Sequence, residues 1–149
     1  MEADRMLSDQ ATALRRADLA ETYLRRIVAG GADNPEQLYT RRLIENLNSQ
    51  GKFKDAKQFL ATIKAAVDKD VVLLLLSSDA ERGTGDEKRA KELLDLAKAN
   101  FGGDARVWIK SAQANMSRPE YAQDVIADLN RAIQIDPRNA QRSEEHTSE

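Results

Sequence analysis

One spacing returns four times along the chain and limits the folds that the chain can adopt. In each set, a small or apolar residue is followed by Leu four positions later and by an apolar residue seven positions later. The sets are Ala20/Leu24/Ile27, Ala56/Leu60/Ile63, Ala90/Leu94/Ala97 and Val125/Leu129/Ala132. Their first members are 36, 34 and 35 residues apart (20 to 56, 56 to 90, 90 to 125). Offsets of four and seven share one helix face, and this period is typical of helix–turn–helix arrays.

The composition excludes several classes of partner. The chain has 149 residues, of which 41% are apolar and 32% charged, and its net charge is −2. Such a charge gives no general attraction to nucleic acid or to an acidic membrane surface. No stretch approaches the roughly 18 consecutive apolar residues that span a bilayer. We therefore expect no nucleic-acid partner and no membrane insertion, and a cytoplasmic or periplasmic location.

The residue types leave little site chemistry. The absence of Cys excludes disulfides, thiolate metal sites and thiol nucleophiles within this sequence. The opening residues MEADRMLSDQ contain no apolar segment of the kind that a secretory signal needs. We expect no catalytic residues, no metal site and no cofactor.

The last eight residues differ in character from the rest. Residues 142–149 read RSEEHTSE, and they include the only histidine, His146. The nucleotide sequence AGATCGGAAGAGCACACGTCTGAA of a common sequencing adaptor translates to the same eight residues. A natural polar tail is the alternative. We expect residues 142–149 to be a non-native tail, and the chain to be a piece of a longer array in which a fifth pair would begin at Gln141.

Gly, Pro and capping residues divide the chain into four helical pairs. We expect Gly30-Gly31 to end the first pair in a left-handed cap, Asn34-Pro35-Glu36 to open the second, and Asp70 and Asp104 to cap the third and fourth. Turns are predicted at 50–52, 83–85 and 117–119. The predicted helices are 4–15, 17–29, 34–49, 53–67, 71–81, 88–100, one containing Val107, Trp108 and Ala112, and 120–135.

These residues resemble an array of tetratricopeptide (TPR) repeats. Gly51-Lys-Phe-Lys-Asp-Ala56 is similar to the family's turn and following small residue, and Gly85-Asp-Glu-Lys-Arg-Ala90 repeats it 34 residues later. Ala132-Ile-Gln-Ile-Asp-Pro137 resembles the end of a unit, and Trp108 matches an aromatic position in a first helix. The fourth pair lacks the turn glycine. The resemblance covers residues 4–141, with repeats 4–34, 35–69, 70–103 and 104–138.

The resemblance implies an all-α, right-handed solenoid of about four helical pairs. First helices would line a concave groove and second helices the convex back. A protein or peptide would then bind in the groove, and the chain would be a non-catalytic scaffold module. The groove candidates are Arg41, Glu45, Asn48, Asp79, Arg82 and Gln113.

Alternative interpretations of single motifs are weaker. Residues 71–76 form an apolar run that, on its own, also fits a buried strand before a phosphate loop, but no Gly-Lys-Ser/Thr ending follows. The carboxylate pairs Glu81/Asp86 and Asp124/Asp128 resemble acid–base pairs, but we expect them on solvated faces. We expect Trp108 to pack between neighbouring pairs rather than to be an exposed binding residue.

The basic pairs 15–16, 25–26 and 41–42 are compatible with recognition of an acidic peptide, because the Arg fork suits carboxylates. Ordinary solvated helix surface is the simpler interpretation. The candidate faces mix acids with bases, and they do not match the Lys/Asn/Arg set with which some TPR domains hold a C-terminal carboxylate.

Two alternatives for the function of the whole protein stay open. In one, the array is an accessory region of a larger bacterial enzyme or of an envelope polysaccharide-export or secretion protein. In the other, the chain associates with itself through its truncated end.

Overall fold

The computed structural model describes residues 2–13, 16–30 and 37–138. Within these residues the chain is all-helical, which confirms the predicted all-α class. The α-helices are α1 (Glu2–Ala13), α2 (Ala17–Ala29), α3 (Leu38–Ser49), α4 (Phe53–Thr62), α5 (Lys64–Val67), α6 (Val71–Gly83), α7 (Glu87–Phe101), α8 (Ala105–Asn115) and α9 (Ala122–Ile135). Two compact units are present, an N-terminal unit (Met1–Ala90) and a C-terminal unit (Lys91–Glu149).

The N-terminal unit begins with three helices packed in succession. Helix α1 packs against α2, and α2 packs against α3. Helix α2 has the predicted bounds, and Ala20, Leu24 and Ile27 are all buried on its inner face. The first of the four recurring sets therefore forms core, as its helical offsets predict.

The predicted left-handed cap at the end of α2 is wrong at Gly30. This glycine has φ −69° and ψ −13°, and its N–H donates to the carbonyl of Arg26, so it extends the last helical turn. Gly31, Arg15 and the predicted helix start at Asn34-Pro35-Glu36 lie outside the described residues. Helix α3 begins at Leu38, after Gln37 with φ 59°.

The turn between α3 and α4 follows the prediction. Gly51 has φ +76°, where a residue without Cβ is favoured, and the N–H of Lys52 donates to the carbonyl of Leu47. Helix α3 packs against both α4 and α6. Ala56 and Leu60 of the second recurring set are buried beneath this packing.

The second helix of this pair is interrupted, whereas the prediction had it continuous over 53–67. Thr62 donates its hydroxyl to the carbonyl of Phe59 at 2.6 Å, the acceptor that the N–H of Ile63 would use in an α-helix. The N–H of Ile63 donates to Leu60 instead, and α4 ends. Ile63 is consequently half-buried, and Val67 of α5 is buried.

Helix α6 carries the apolar run 71–76 and excludes the buried-strand alternative. Asp70 caps it as predicted, because its carboxylate accepts from the N–H groups of Val72 and Leu73. The helix continues to Gly83, two residues beyond the predicted end. A Cβ on Gly83 would lie 2.2 Å from the ring of Phe53, so this position needs glycine for close packing.

Helix α7 contains the division between the two units. Its recurring set, Ala90, Leu94 and Ala97, is buried. In the N-terminal unit, Ser78 donates its hydroxyl to the carbonyl of Ala90 at 3.0 Å. This bond satisfies a buried hydroxyl that would otherwise destabilise the core.

The C-terminal unit packs α8 against α9. Asp104 caps α8 as predicted, accepting from the N–H of Arg106 at 3.0 Å. A 3-10 helix, Pro119–Tyr121, replaces the predicted first turn of the last helix. Ala132 is buried, whereas Val125 and Leu129 of the same set are half-buried.

Candidate functional site

Five of the six predicted groove residues belong to the N-terminal unit, and Gln113 belongs to the C-terminal unit. Arg41, Glu45 and Asn48 lie on α3, while Asp79 and Arg82 lie on α6. Most of these side chains form contacts within their own unit.

Arg41 is an anchor between helices. Its Nη2 lies 2.6 Å and its Nε 3.1 Å from Oδ2 of Asp70, the residue that caps α6. The Arg41 side chain is 28% exposed and the Asp70 side chain 11%. Since one carboxylate both caps α6 and binds α3, this pair fixes the start of α6 against α3.

Three further candidates also have partners within the N-terminal unit. Asn48 donates its side-chain N–H to the carbonyl of Leu76 at 3.2 Å. Arg82 lies 3.6 Å from Asp79 and 3.9 Å from Glu87, measured between the nitrogen and oxygen atoms. Asn48, Asp79 and Arg82 therefore serve mainly in helix packing and in balancing surface charge.

Glu45 and Gln113 differ from the other four. Both are exposed, and neither side chain forms a hydrogen bond or an ion pair within the described part of the chain. Their polar atoms therefore remain available to a ligand.

A groove of about 580 Å³ lies where α1, α2 and α3 meet, and it is partly open to solvent. Its described lining residues are Ser8, Asp9, Ala17, Ala20, Leu24, Arg42, Glu45, Asn46 and Ser49. Of the six predicted candidates, Glu45 is the one that lines it. The volume falls within the roughly 300–1,000 Å³ of small-ligand sites.

The groove combines an apolar floor with a polar rim. Ala17, Ala20 and Leu24 of α2 form its apolar lining; Ala17 is half-buried, whereas Ala20 and Leu24 border the groove from within the core, being 1% and 3% exposed. Of the α3 residues that line the groove, the sequence-based candidates include Glu45 but not Arg42, Asn46 or Ser49. A signal was present, since Arg42, Glu45, Asn46 and Ser49 are spaced at offsets of three, four and seven, which is one helix face.

Most polar groups on the rim are already bonded. Arg42 lies 3.3 Å from Asp9 across the groove. Asn46 donates to the carbonyl of Ala17 at 3.1 Å and accepts from Gln50 at 2.6 Å. Ser49 donates to the carbonyl of Asn46. Among the described lining residues, the Glu45 carboxylate is thus the charged group left without a partner.

A network around Glu21 connects α2 to the turn that follows α3. Lys52 lies 2.6 Å from Glu21, Arg25 2.8 Å and Gln50 3.1 Å. Burial alone would raise the pKa of Glu21, but the hydrogen bonds from Lys52, Arg25 and Gln50 together lower it below its ordinary value of 4.5. The ionised carboxylate therefore stabilises the contact between α2 and the turn after α3.

The C-terminal unit contains a buried polar cluster that corrects one prediction. Asp128, expected on a solvated face, is buried; it accepts from Ser111 at 2.7 Å and lies 3.3 Å from the Lys98 ammonium. The two carboxylates of the other predicted pair, Glu81 and Asp86, lie in different environments. Glu81 is half-buried and lies 3.1 Å from the Lys57 ammonium, whereas Asp86 is exposed.

Trp108 lies beside this cluster. Its indole N–H donates to the carbonyl of Gly102 at 2.9 Å, and the Lys98 ammonium lies 5.1 Å from its ring centroid. Arg131 approaches the same ring at 5.9 Å. The residue is half-buried and held from two directions, which fits a packing role better than an open binding surface.

Other kinds of site find no support in the described ranges. Across residues 2–13, 16–30 and 37–138, no group of three or more His, Cys, Asp or Glu side chains is arranged to hold a metal ion. None of the helices in these ranges is long and apolar enough to cross a membrane.

Comparison with protein-family models gives no match for this chain, and comparison with curated proteins gives none either. Function is therefore inferred from the residues and their geometry.

Proposed function

We propose that this chain is a non-catalytic protein- or peptide-binding module built from TPR-like helical repeats, which form a right-handed α-solenoid. The observation that carries the proposal is the groove between α1, α2 and α3. It is partly open, its floor is apolar, and its rim is polar. Peptide sites use this combination, since apolar contact supplies affinity while a few polar groups fix the orientation.

The helix order supports the same proposal. In the N-terminal unit α1 is followed by α2 and α3 by α4, and α2 and α4 each carry residues of a recurring set. The residues of these two sets are largely buried, so they serve mainly in packing, although α2 also contributes to the lining of the groove. Arg42, Glu45 and Ser49 lie instead on α3, a first helix, and face the groove. This division of labour is what an array with a binding face on its first helices requires.

The test is a selection from a display library of random short peptides on the immobilised full-length chain. We expect a set of related peptides to be enriched. Ser49→Trp places an indole in the groove, and we expect it to weaken binding of a selected peptide by about tenfold or more. Ser117→Trp makes the same change at an exposed position of the C-terminal unit and serves as the control.

Failure of the library to yield any peptide above background would contradict the proposal. Equal binding by the wild type and Ser49→Trp would place the interaction outside this groove.

A further inference from the structure

The charges around the groove indicate what kind of peptide it takes. Among its described lining residues, three have charged side chains, namely Asp9, Arg42 and Glu45. Arg42 and Asp9 are paired at 3.3 Å, and so they largely neutralise each other. The Glu45 carboxylate is exposed and has no ion pair within the described residues. The described lining residues therefore have a net negative charge, located on α3.

The described arginines of the basic pairs, which are compatible with an acidic ligand on sequence alone, already have ion-pair partners. Each of the five described arginines in these pairs lies near a carboxylate of the N-terminal unit. The ion pairs are Arg16–Asp18 at 3.4 Å, Arg25–Glu21 at 2.8 Å, Arg26–Asp4 at 3.6 Å, Arg41–Asp70 at 2.6 Å and Arg42–Asp9 at 3.3 Å. An acidic peptide would have to displace one of these carboxylates, whereas a basic group can approach Glu45 directly.

The shape of the floor narrows the ligand further. Ala17 is small and half-buried and provides an apolar surface beside the polar rim, whereas Ala20 and Leu24 of the same lining are nearly fully buried. Long basic side chains pack their methylene stems on such surfaces while the charged head stays at the polar edge. The amide of Asn46 is bonded to Ala17 and Gln50, so it does not compete for the head group.

We infer that the groove binds a Lys or Arg side chain of a partner peptide, with its stem against Ala17 and its cationic head at Glu45. This inference rests on the proposed peptide-binding function and adds the charge of the ligand. It also identifies Glu45 as the residue that sets specificity, because ion pairing at a rim discriminates between ligands more than it adds affinity.

The experiment uses synthetic peptide arrays in which one central position is fixed as Lys, Gln or Glu and the neighbouring positions are randomised. Binding of the full-length chain is measured for the wild type, Glu45→Gln and Glu45→Lys. The wild type should prefer Lys-fixed over Glu-fixed peptides by about three- to tenfold, as expected for a partly exposed ion pair. Glu45→Gln should lose the preference, and Glu45→Lys should reverse it.

Glu120→Lys is the matched control, since Glu120 is exposed, lies in the C-terminal unit and has no ion pair within the described residues. It changes the net charge equally and should keep the wild-type preference. Raising the salt concentration should weaken the preference of the wild type, because exposed charges are screened.

The possible failures are distinguishable. Peptides that bind without a preference for Lys, or whose preference survives in Glu45→Lys, would overturn the inference and leave the peptide-binding function intact. Arrays on which no peptide binds above background would overturn both.

Discussion

Helices α2 and α9 carry the same recurring spacing, yet they bury different kinds of side chain. In α2, Ala20, Leu24 and Ile27 are 1%, 3% and 1% exposed. In α9, Ala132 is 1% exposed while Leu129 is half-buried, and the carboxylate residue Asp128 is 6% exposed. One helix is held by a continuous apolar face, and the other is held partly by a polar cluster.

The difference shows what a helical spacing determines. It selects the face that turns inward, but the neighbouring helix decides which side chains on that face become buried. Ser111 of α8 and Lys98 of α7 offer a hydroxyl and an ammonium, and so they draw Asp128 into the C-terminal unit. In the N-terminal unit α2 packs between α1 and α3, and its apolar face is covered by both.

The largest expected effect comes from truncating the apolar face of α2. Leu24→Ala should lower the free energy of unfolding by about 3 kcal/mol, because it removes buried contacts and leaves a cavity. Leu129→Ala, the equivalent change in α9, should cost about 1 kcal/mol, since this side chain is half-buried. Urea denaturation followed by circular dichroism measures both, and equal costs would contradict the comparison.

The next effect concerns the polar cluster. Asp128→Ala leaves the Ser111 hydroxyl and the Lys98 ammonium without their carboxylate, and it should destabilise the C-terminal unit by about 2 kcal/mol. Asp124→Ala removes an exposed carboxylate of the same helix and should cost no more than about 0.5 kcal/mol. The fluorescence of Trp108, which lies next to Lys98, reports the transition. Similar midpoints for the two variants would mean that the cluster contributes little.

Two capping aspartates extend the comparison to helix starts. Asp104 caps α8 and pairs locally with Arg106, whereas Asp70 caps α6 and also binds Arg41 of another helix. Asp104→Ala should cost about 1 kcal/mol, the usual value for a lost cap. Asp70→Ala should cost about 1 kcal/mol more, because Arg41 loses its partner. A double-mutant cycle with Arg41→Ala isolates this extra energy, and a coupling energy near zero would refute it.

The smallest effect is a pH dependence of the N-terminal unit. The folded-state pKa of Glu21 is lowered from 4.5, so the ionised carboxylate contributes stability at pH values above the unfolded pKa. That contribution is lost as the pH falls through the lowered folded pKa. Glu21→Gln should therefore have a flatter stability profile than the wild type between about pH 3 and pH 5. Glu120→Gln, at an exposed position, should retain the wild-type slope.

Local chemistry explains why part of the fold was predictable. The bounds of α2 and the caps at Asp70 and Asp104 depend on residues within a few positions of each other, and these predictions are confirmed. The break after Thr62 also has a local cause, a hydroxyl that competes for a carbonyl. A helical pattern does not reveal it, because Thr is otherwise tolerated on helix surfaces.

The unpredicted features are those that depend on distant partners. The sequence predicts Arg41 as a groove residue, whereas in the structure its side chain binds Asp70, 29 positions away. Asp128 is buried because Ser111 lies 17 positions earlier on the neighbouring helix. The groove itself joins residues of three helices, and the sequence identified Glu45 among its lining residues without indicating that its neighbours would be bonded to each other.

The most direct test of the central claim is an amide chemical-shift map of the full-length chain during titration with a selected Lys-containing peptide. If the groove between α1, α2 and α3 is the binding site, the largest shifts will occur at Ala20, Leu24 and Glu45, and the amide of Gln113 in the C-terminal unit will stay unchanged. Saturable binding whose largest shifts fall on α8 or α9, with those three amides unmoved, would contradict the account.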